Sequence, residues 1–198
     1  MRYVPPAVAA ARAARVSTHV EVLVWILARN RSTGDVESMG LWSGDDVVDF
    51  AIGAENRTYY GAGALLEVPD IQASTGLEVR TISLSLAAMS PEVETLIRGY
   101  DVRFGAVQIH RAEFGPTGAL LGEPERIFKG FVNGAPITTP EIGGTGSAAL
   151  QCVSHSRVLT RHGSVTKSGQ VQQLRGGDRF RRYGTLTAAA AIYWGEKN

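Results

Sequence analysis

The chain has 198 residues, 44% apolar and 20% charged, with a net charge of +1. That length buries an adequate core as one large or two small domains. A balance so near neutral argues against a dedicated nucleic-acid binder. The single cysteine, Cys152, excludes an intramolecular disulfide and any cluster that needs several thiolates.

The longest apolar run, Val22 to Ala28, is far short of the roughly 20 residues a helix needs to cross a bilayer. Arg2, Arg12 and Arg15 break up the apolar stretch a secretory leader requires. No membrane span is expected, and assembly in a cytoplasm is. The 23 glycines, with few long helical patterns, favour a mainly β fold with many turns.

Pro5-Pro6 opens an Ala-rich segment, Ala7 to Ala14. Proline suits a first helical turn and alanine is the best helix former, so a short N-terminal helix is expected. Thr18 to Arg29 is almost continuously apolar, as a central strand buried on both faces would be. The turn residues Arg31 to Asp35 make Val36 to Trp42 its hairpin partner. Val47 to Ile52 and Thr58 to Tyr60 flank Ala54 to Arg57 as a second hairpin, and Ala64 to Val68 follows a glycine break.

Between Leu77 and Leu86 the alternation changes phase. Leu77 and Val79 share one face; Ile82, Leu84 and Leu86 share the other. A bulge near Arg80-Thr81 would reconcile them, because one extra residue moves side chains between faces. A capped helix is expected next, over about 91–98. Ser90 suits the N-cap and accepts a backbone N–H; Pro91 suits the first position; Glu92, Glu94 and Arg98 complement the dipole. Gly99 is a left-handed stop. Val102 to Phe114 and Leu120 to Phe131 read as strands around a turn at 115–118. Ile137 to Ile142 and Ser147 to Val153 read as a further pair around Gly143-Gly144. In the last strand Ala148, Leu150 and Cys152 alternate with polar or small residues.

After Ser154 the character changes to polar, basic and glycine-containing, with a short helix at Thr185 to Tyr193. Two parts follow: a β-barrel or β-sandwich with the N-terminal helix over 1–154, and an extended basic C-terminal arm over 155–198. Charge is divided along the chain. Residues 35–94 hold eleven acids against Arg57 and Arg80, a net of −9, and residues 151–198 hold eight bases against Asp178 and Glu196, a net of +6. Two solvated faces would give this pattern. So would complementary patches on neighbouring copies, as a head-to-tail contact requires.

No catalytic or metal constellation stands out, and no cofactor is expected. Cys152, His155 and His162 lie close in sequence, but a structural zinc needs four ligands. Cys152 falls on the apolar side of a strand, where free cysteine packs as a small hydrophobe. His110 or His155 would have to activate it in a cysteine hydrolase, such as one opening the cell wall. Asp45, Asp46 and Asp49 lack the spacing of a calcium loop and read as a solvated hairpin tip. The glycines at 61–63 and 143–146 lack a phosphate-loop lysine and read as turns. Exposed Trp42 or Tyr60 would be the platform of a carbohydrate-binding sandwich.

Arg175, Arg179, Phe180, Arg181, Arg182 and Tyr183 combine arginines with aromatics. That mixture suits bases and phosphates, and it is also what protein interfaces enrich. The near-neutral chain favours the interface. Asp45, Asp46, Trp42 and Trp194, all near turns, complete the expected contact set. Trp25 is expected in the core.

Several patterns, in order along nearly the whole chain, resemble the tail-tip ring proteins of long flexible-tailed bacteriophages and gene transfer agents, the hub and distal-tail components. They are Trp42-Ser-Gly44, Tyr59-Tyr60-Gly-Ala-Gly-Ala-Leu-Leu66, and Thr81 to Leu86 followed by the 90–99 helix and Val102. Phe128-Lys-Gly130, Gly177-Asp178-Arg-Phe180 and Trp194-Gly195 complete the series. The resemblance implies a β-barrel or β-sandwich in a homo-oligomeric ring, trimer or hexamer, joining the tail tube to hub or receptor-binding proteins. It implies residence in the virion, DNA only as cargo passing the lumen, and no catalytic residues. The iron–sulfur cluster of some hub relatives is excluded by the single cysteine.

Overall fold

A computed structural model describes residues 4–61, 65–72, 76, 78–87, 90–138, 141–142, 147–160, 163 and 165–184. It divides into two compact units, residues 1–159 and 160–198.

The first unit is mainly β. Helix α1 (Pro6–Ala13) begins behind Pro5 and buries Val8. The strands are β1 (His19–Asn30), β2 (Val36–Trp42), β3 (Val48–Ile52), β4 (Glu55–Tyr60), β5 (Leu65–Glu67), β6 (Thr81–Ala87), β7 (Tyr100–Phe114), β8 (Glu125–Gly134), β9 (Ile137–Thr138) and β10 (Ser147–Ser154). They form one sheet in the order β3-β4-β2-β1-β7-β8-β10-β6-β5, with β9 paired to β10. The pairs are antiparallel except β2 with β4, which run parallel.

The two faces of β1 serve two cores. Val24, Ile26 and Ala28 enter the main cluster with Leu41, Val107, Ile109, Leu84, Leu86, Leu150 and Cys152. These residues come from both halves of the strand order, so the sheet curls around them in a sandwich- or barrel-like manner. Leu23 joins Trp42, Phe50, Tyr59 and Ala112 in a smaller cluster on the opposite face, where Trp25 packs. The near-continuous apolarity of β1 therefore reflects burial on both sides, as expected.

The expected bulge near Arg80-Thr81 is not there. The register of β6 against β10 is regular from Thr81↔Val153 to Ala87↔Ser147. The chain enters the sheet only at Thr81, so Val79 is outside any strand and 39% exposed. Arg80 closes the sheet end instead, its backbone N–H bonded to Ser154 Oγ at 3.0 Å.

The predicted helix at 91–98 is an α-turn, α2 (Pro91–Glu94), running into a π-helical turn at Thr95–Gly99. Ser90 sits at the N-cap but does not cap with its side chain. Its hydroxyl donates to Glu92 Oε2 at 2.5 Å, which holds the Glu92 carboxyl below its ordinary range. Gly99 does not take the left-handed conformation; extended Tyr100 ends the turn. Val93 and Leu96 are fully buried in the main core. Packing, not capping, holds this short element. The second hairpin turns at Gly53-Ala54, because β4 already begins at Glu55, opposite Ile52.

The change of strand phase lies in β7. Leu27 pairs with Ala106 and Arg29 with Asp101, so residues 102–105 stand opposite Ala28 alone. Val102 is buried at the start of this bulge and Val107 and Ile109 after it, all in the main core. An even-numbered inward face thus becomes an odd-numbered one, as an irregular insertion allows.

In the second unit, described residues form α4 (Gly169–Gln173), capped by Ser168 Oγ, which accepts Val171 N–H. Another short helix, α3 (Arg157–Thr160), spans the boundary at residue 159. The expected helix at 185–193, Trp194, His162 and the glycines at 143–146 fall outside the described residues.

Candidate functional site

Gln172 organises the loop at 168–184. Its amide Nε2 donates to Asp178 Oδ2 at 2.9 Å, and its Oε1 accepts the Arg181 N–H at 3.1 Å. Asp178 Oδ1 also accepts the Phe180 N–H at 2.9 Å. Such an Asx turn fixes the chain locally without burying anything. Gly176 and Gly177, at φ 64° and 81°, make the left-handed reversal these bonds require. The polar staple leaves the large side chains outside. Leu174 is 86% exposed and Phe180 85%, and no described residue from 163 to 184 is buried.

Of the expected contact residues, Arg175, Arg179, Phe180, Arg181, Arg182 and Tyr183 lie together on this loop and are exposed. The Arg182 guanidinium stands 5.4 Å from the Tyr183 ring centre. Asp45 and Asp46 are exposed at the tip after β2, beside exposed Val47. Trp42 is a correction: it is buried, edge-on to Phe50 at 5.6 Å, and its indole N–H donates to the Asp46 carbonyl at 2.6 Å. Its large apolar area serves the second core and shapes the acidic tip from behind. Tyr60 is half-buried against the main core. Neither ring is the open platform a sugar would need.

Cys152 is fully buried in the main core, its thiol pushed up to about 12 by burial alone. Its Sγ donates to the Leu150 carbonyl at 3.7 Å. His155 stacks on Phe131 at 5.2 Å and is not bonded to it. A buried thiol held neutral packs as a small hydrophobe.

A cavity of about 650 Å³, invisible to sequence reading, opens beside the second core. Ile52, Glu55, Arg57, Gln108, His110 and Arg126 contribute to its wall. Arg57 lies over the Trp25 ring at 5.0 Å and bonds Glu55 and Gln108. His110 is 2% exposed and its Nδ1 has no partner. Burial, then the charges of Arg57 and Arg126, push its imidazole down to about 4. The ring is neutral at physiological pH, able to hold a polar group but poor as a base. Behind it, Arg12 of α1 reaches Glu113, and Arg111 pairs with Glu125 at 3.0 Å and Glu113 at 3.3 Å. This ladder of two buried carboxylates and two guanidiniums ties α1 to β7 and β8. Every charge in it is compensated, which marks it as structural. Among the described residues no three His, Cys, Asp or Glu side chains gather as a metal site.

No protein-family model matches this chain, and no curated protein matches it.

Proposed function

We propose that this protein is a structural subunit of a bacteriophage or gene-transfer-agent tail tip, assembling as a ring between the tail tube and the hub or receptor-binding proteins. The supporting observation is the loop at 168–184. It is held in shape by polar bonds, yet it presents Leu174, Phe180 and Tyr183 among four arginines with no core of its own. Aromatic and arginine side chains on a pre-shaped loop are the composition of an interface centre. Ordering the loop in advance lowers the entropic cost of docking. In this reading the neighbours are copies of the chain and other tail-tip proteins, the location is the virion, and DNA is a passing cargo.

The full burial of Cys152 weighs against the cysteine-hydrolase alternative. Cryo-EM of intact particles tests the proposal, with the chain expected at the distal end of the tail tube and its C-terminal loop against a neighbour. Particles that carry the chain elsewhere, or lack it, overturn the reading.

A further inference from the structure

Phe104 is held in an uncomfortable conformation. It has φ +62° and is 57% exposed. A bulky residue in the left-handed region is strained, and such conformations cluster at working surfaces. The bulge in β7 accounts for its position: Val102 stays in the core while Phe104, two residues on, is turned out. Gly105 permits this, since a Cβ there would lie 2.4 Å from the Leu27 carbonyl oxygen. The guanidiniums of Arg103 and Arg157 flank the ring at 5.1 and 5.8 Å. Beside it lies a depression of about 350 Å³ whose walls include Arg29, Arg103 and 65%-exposed Val36. Asp101 lines the depression too, its Oδ1 accepting the Arg103 backbone N–H at 3.3 Å. The Arg29 guanidinium bonds the Gly34 carbonyl, and among the described residues neither the Arg29 nor the Arg103 guanidinium forms an ion pair.

The complementary surface is on the same molecule, at the other end of the same strands. The tip after β2 carries Asp45, Asp46 and 62%-exposed Val47. Neither of these two carboxylates forms a side-chain bond or ion pair among the described residues. Trp42, at the tip, pairs with Leu23, whereas Val36, at the depression, pairs with Arg29. Six strand positions separate them, roughly 20 Å at about 3.3 Å per residue. One copy cannot bring its own tip to its own depression.

We propose that the Phe104 face is a socket for the Asp45–Val47 tip of a second copy of this chain. Val47 packs on Phe104 and Val36, and Asp45 and Asp46 meet Arg103 and Arg29. Two different patches on opposite ends make a heterologous, head-to-tail contact, which closes into a ring if the rotation per copy allows. Self-assembly rests on the tail-tip reading; the identity of the two patches does not.

The test uses full-length Val36→Cys and Val47→Cys proteins, mixed and treated with a short bismaleimide; both residues are exposed, and native Cys152 is shielded. The mixed 36–47 dimer should exceed both homodimers. Phe104→Ala or Arg103→Glu on the Val36→Cys partner should lower its yield about tenfold or more, and Asp46→Arg on the other partner should restore the Arg103→Glu loss. A mixed dimer no more abundant than the homodimers, or one indifferent to Arg103→Glu, overturns the socket. That result leaves the tail-tip reading standing, whereas a chain absent from the tail tip would leave a positive cross-link standing.

Discussion

Strand β10 and the loop around Gln172 are neighbours in sequence and opposites in construction. In β10 the apolar side chains Ala148, Leu150 and Cys152 go into the main core, and the strand is paired on both sides, with β8 and β6. In the loop the hydrogen bonds are equally well made, yet Leu174 and Phe180 stay in solvent. Hydrogen bonds fix local shape in both, and only β10 gains from removing apolar area from water. The stability of β10 is its own, whereas Leu174 and Phe180 of the loop add no buried apolar area.

This contrast can be broken by mutation. Leu150→Ala removes a fully buried side chain and should cost about 2–5 kcal/mol in a urea unfolding curve. Acid should act next. His110 binds a proton in the unfolded chain at its ordinary pKa but in the fold only at about 4. The unfolded state therefore holds more protons between pH 6.5 and 4, and stability falls as pH drops through that window, by about 3 kcal/mol in all. Wild type should lose this increment between pH 7 and 4, and His110→Gln should not; parallel curves for the two would refute it.

Gly40→Ala probes the crossing of β2 and β4, where a Cβ would stand 2.4 Å from the Thr58 carbonyl and 3.0 Å from the Trp25 ring. Overpacking there should cost about 1–3 kcal/mol, read as a lower melting temperature. Arg12→Ala should cost about 1 kcal/mol, since Arg111 still pairs with Glu113 and the lost guanidinium was partly in water. The smallest effect sharpens the comparison most. Phe180→Ala should change the stability of the isolated protein by no more than about 0.5 kcal/mol, while lowering incorporation into particles. A large loss of isolated stability would mean the loop has a core after all.

The strands were legible where one rule governed them. The alternation in β10, the double-sided burial of β1 and the β1–β2 hairpin all follow from periodicity and turn chemistry. Of the site, the exposure of the arginine-rich loop was legible and the burial of Trp42 was not. A tryptophan beside Ser-Gly-Asp looks like a rim residue, until β3 and β4 fold over it and supply Phe50 and Tyr59 as walls. In the sequence His110 stood out only as a possible base for Cys152, and Arg57 only as the end of a turn. Their meeting at one cavity depends on the β3–β4 hairpin returning to the sheet beside β2, and only the pairing order reveals that.

The phase change divides most clearly what belongs to sequence from what belongs to the fold. Sequence alone determined a mainly β chain, its strand-forming runs and its opposed charges, because these depend on side-chain type and near neighbours. It placed the irregularity at Arg80, where two apolar phases meet; the fold places it at residues 102–105. Val79 can simply lie outside the sheet, whereas β7 must keep Val102, Val107 and Ile109 in one core while pairing with β1 on both sides of Ala28. Those are long-range constraints. Only the tertiary structure could decide which residue they turn outward, and it is Phe104.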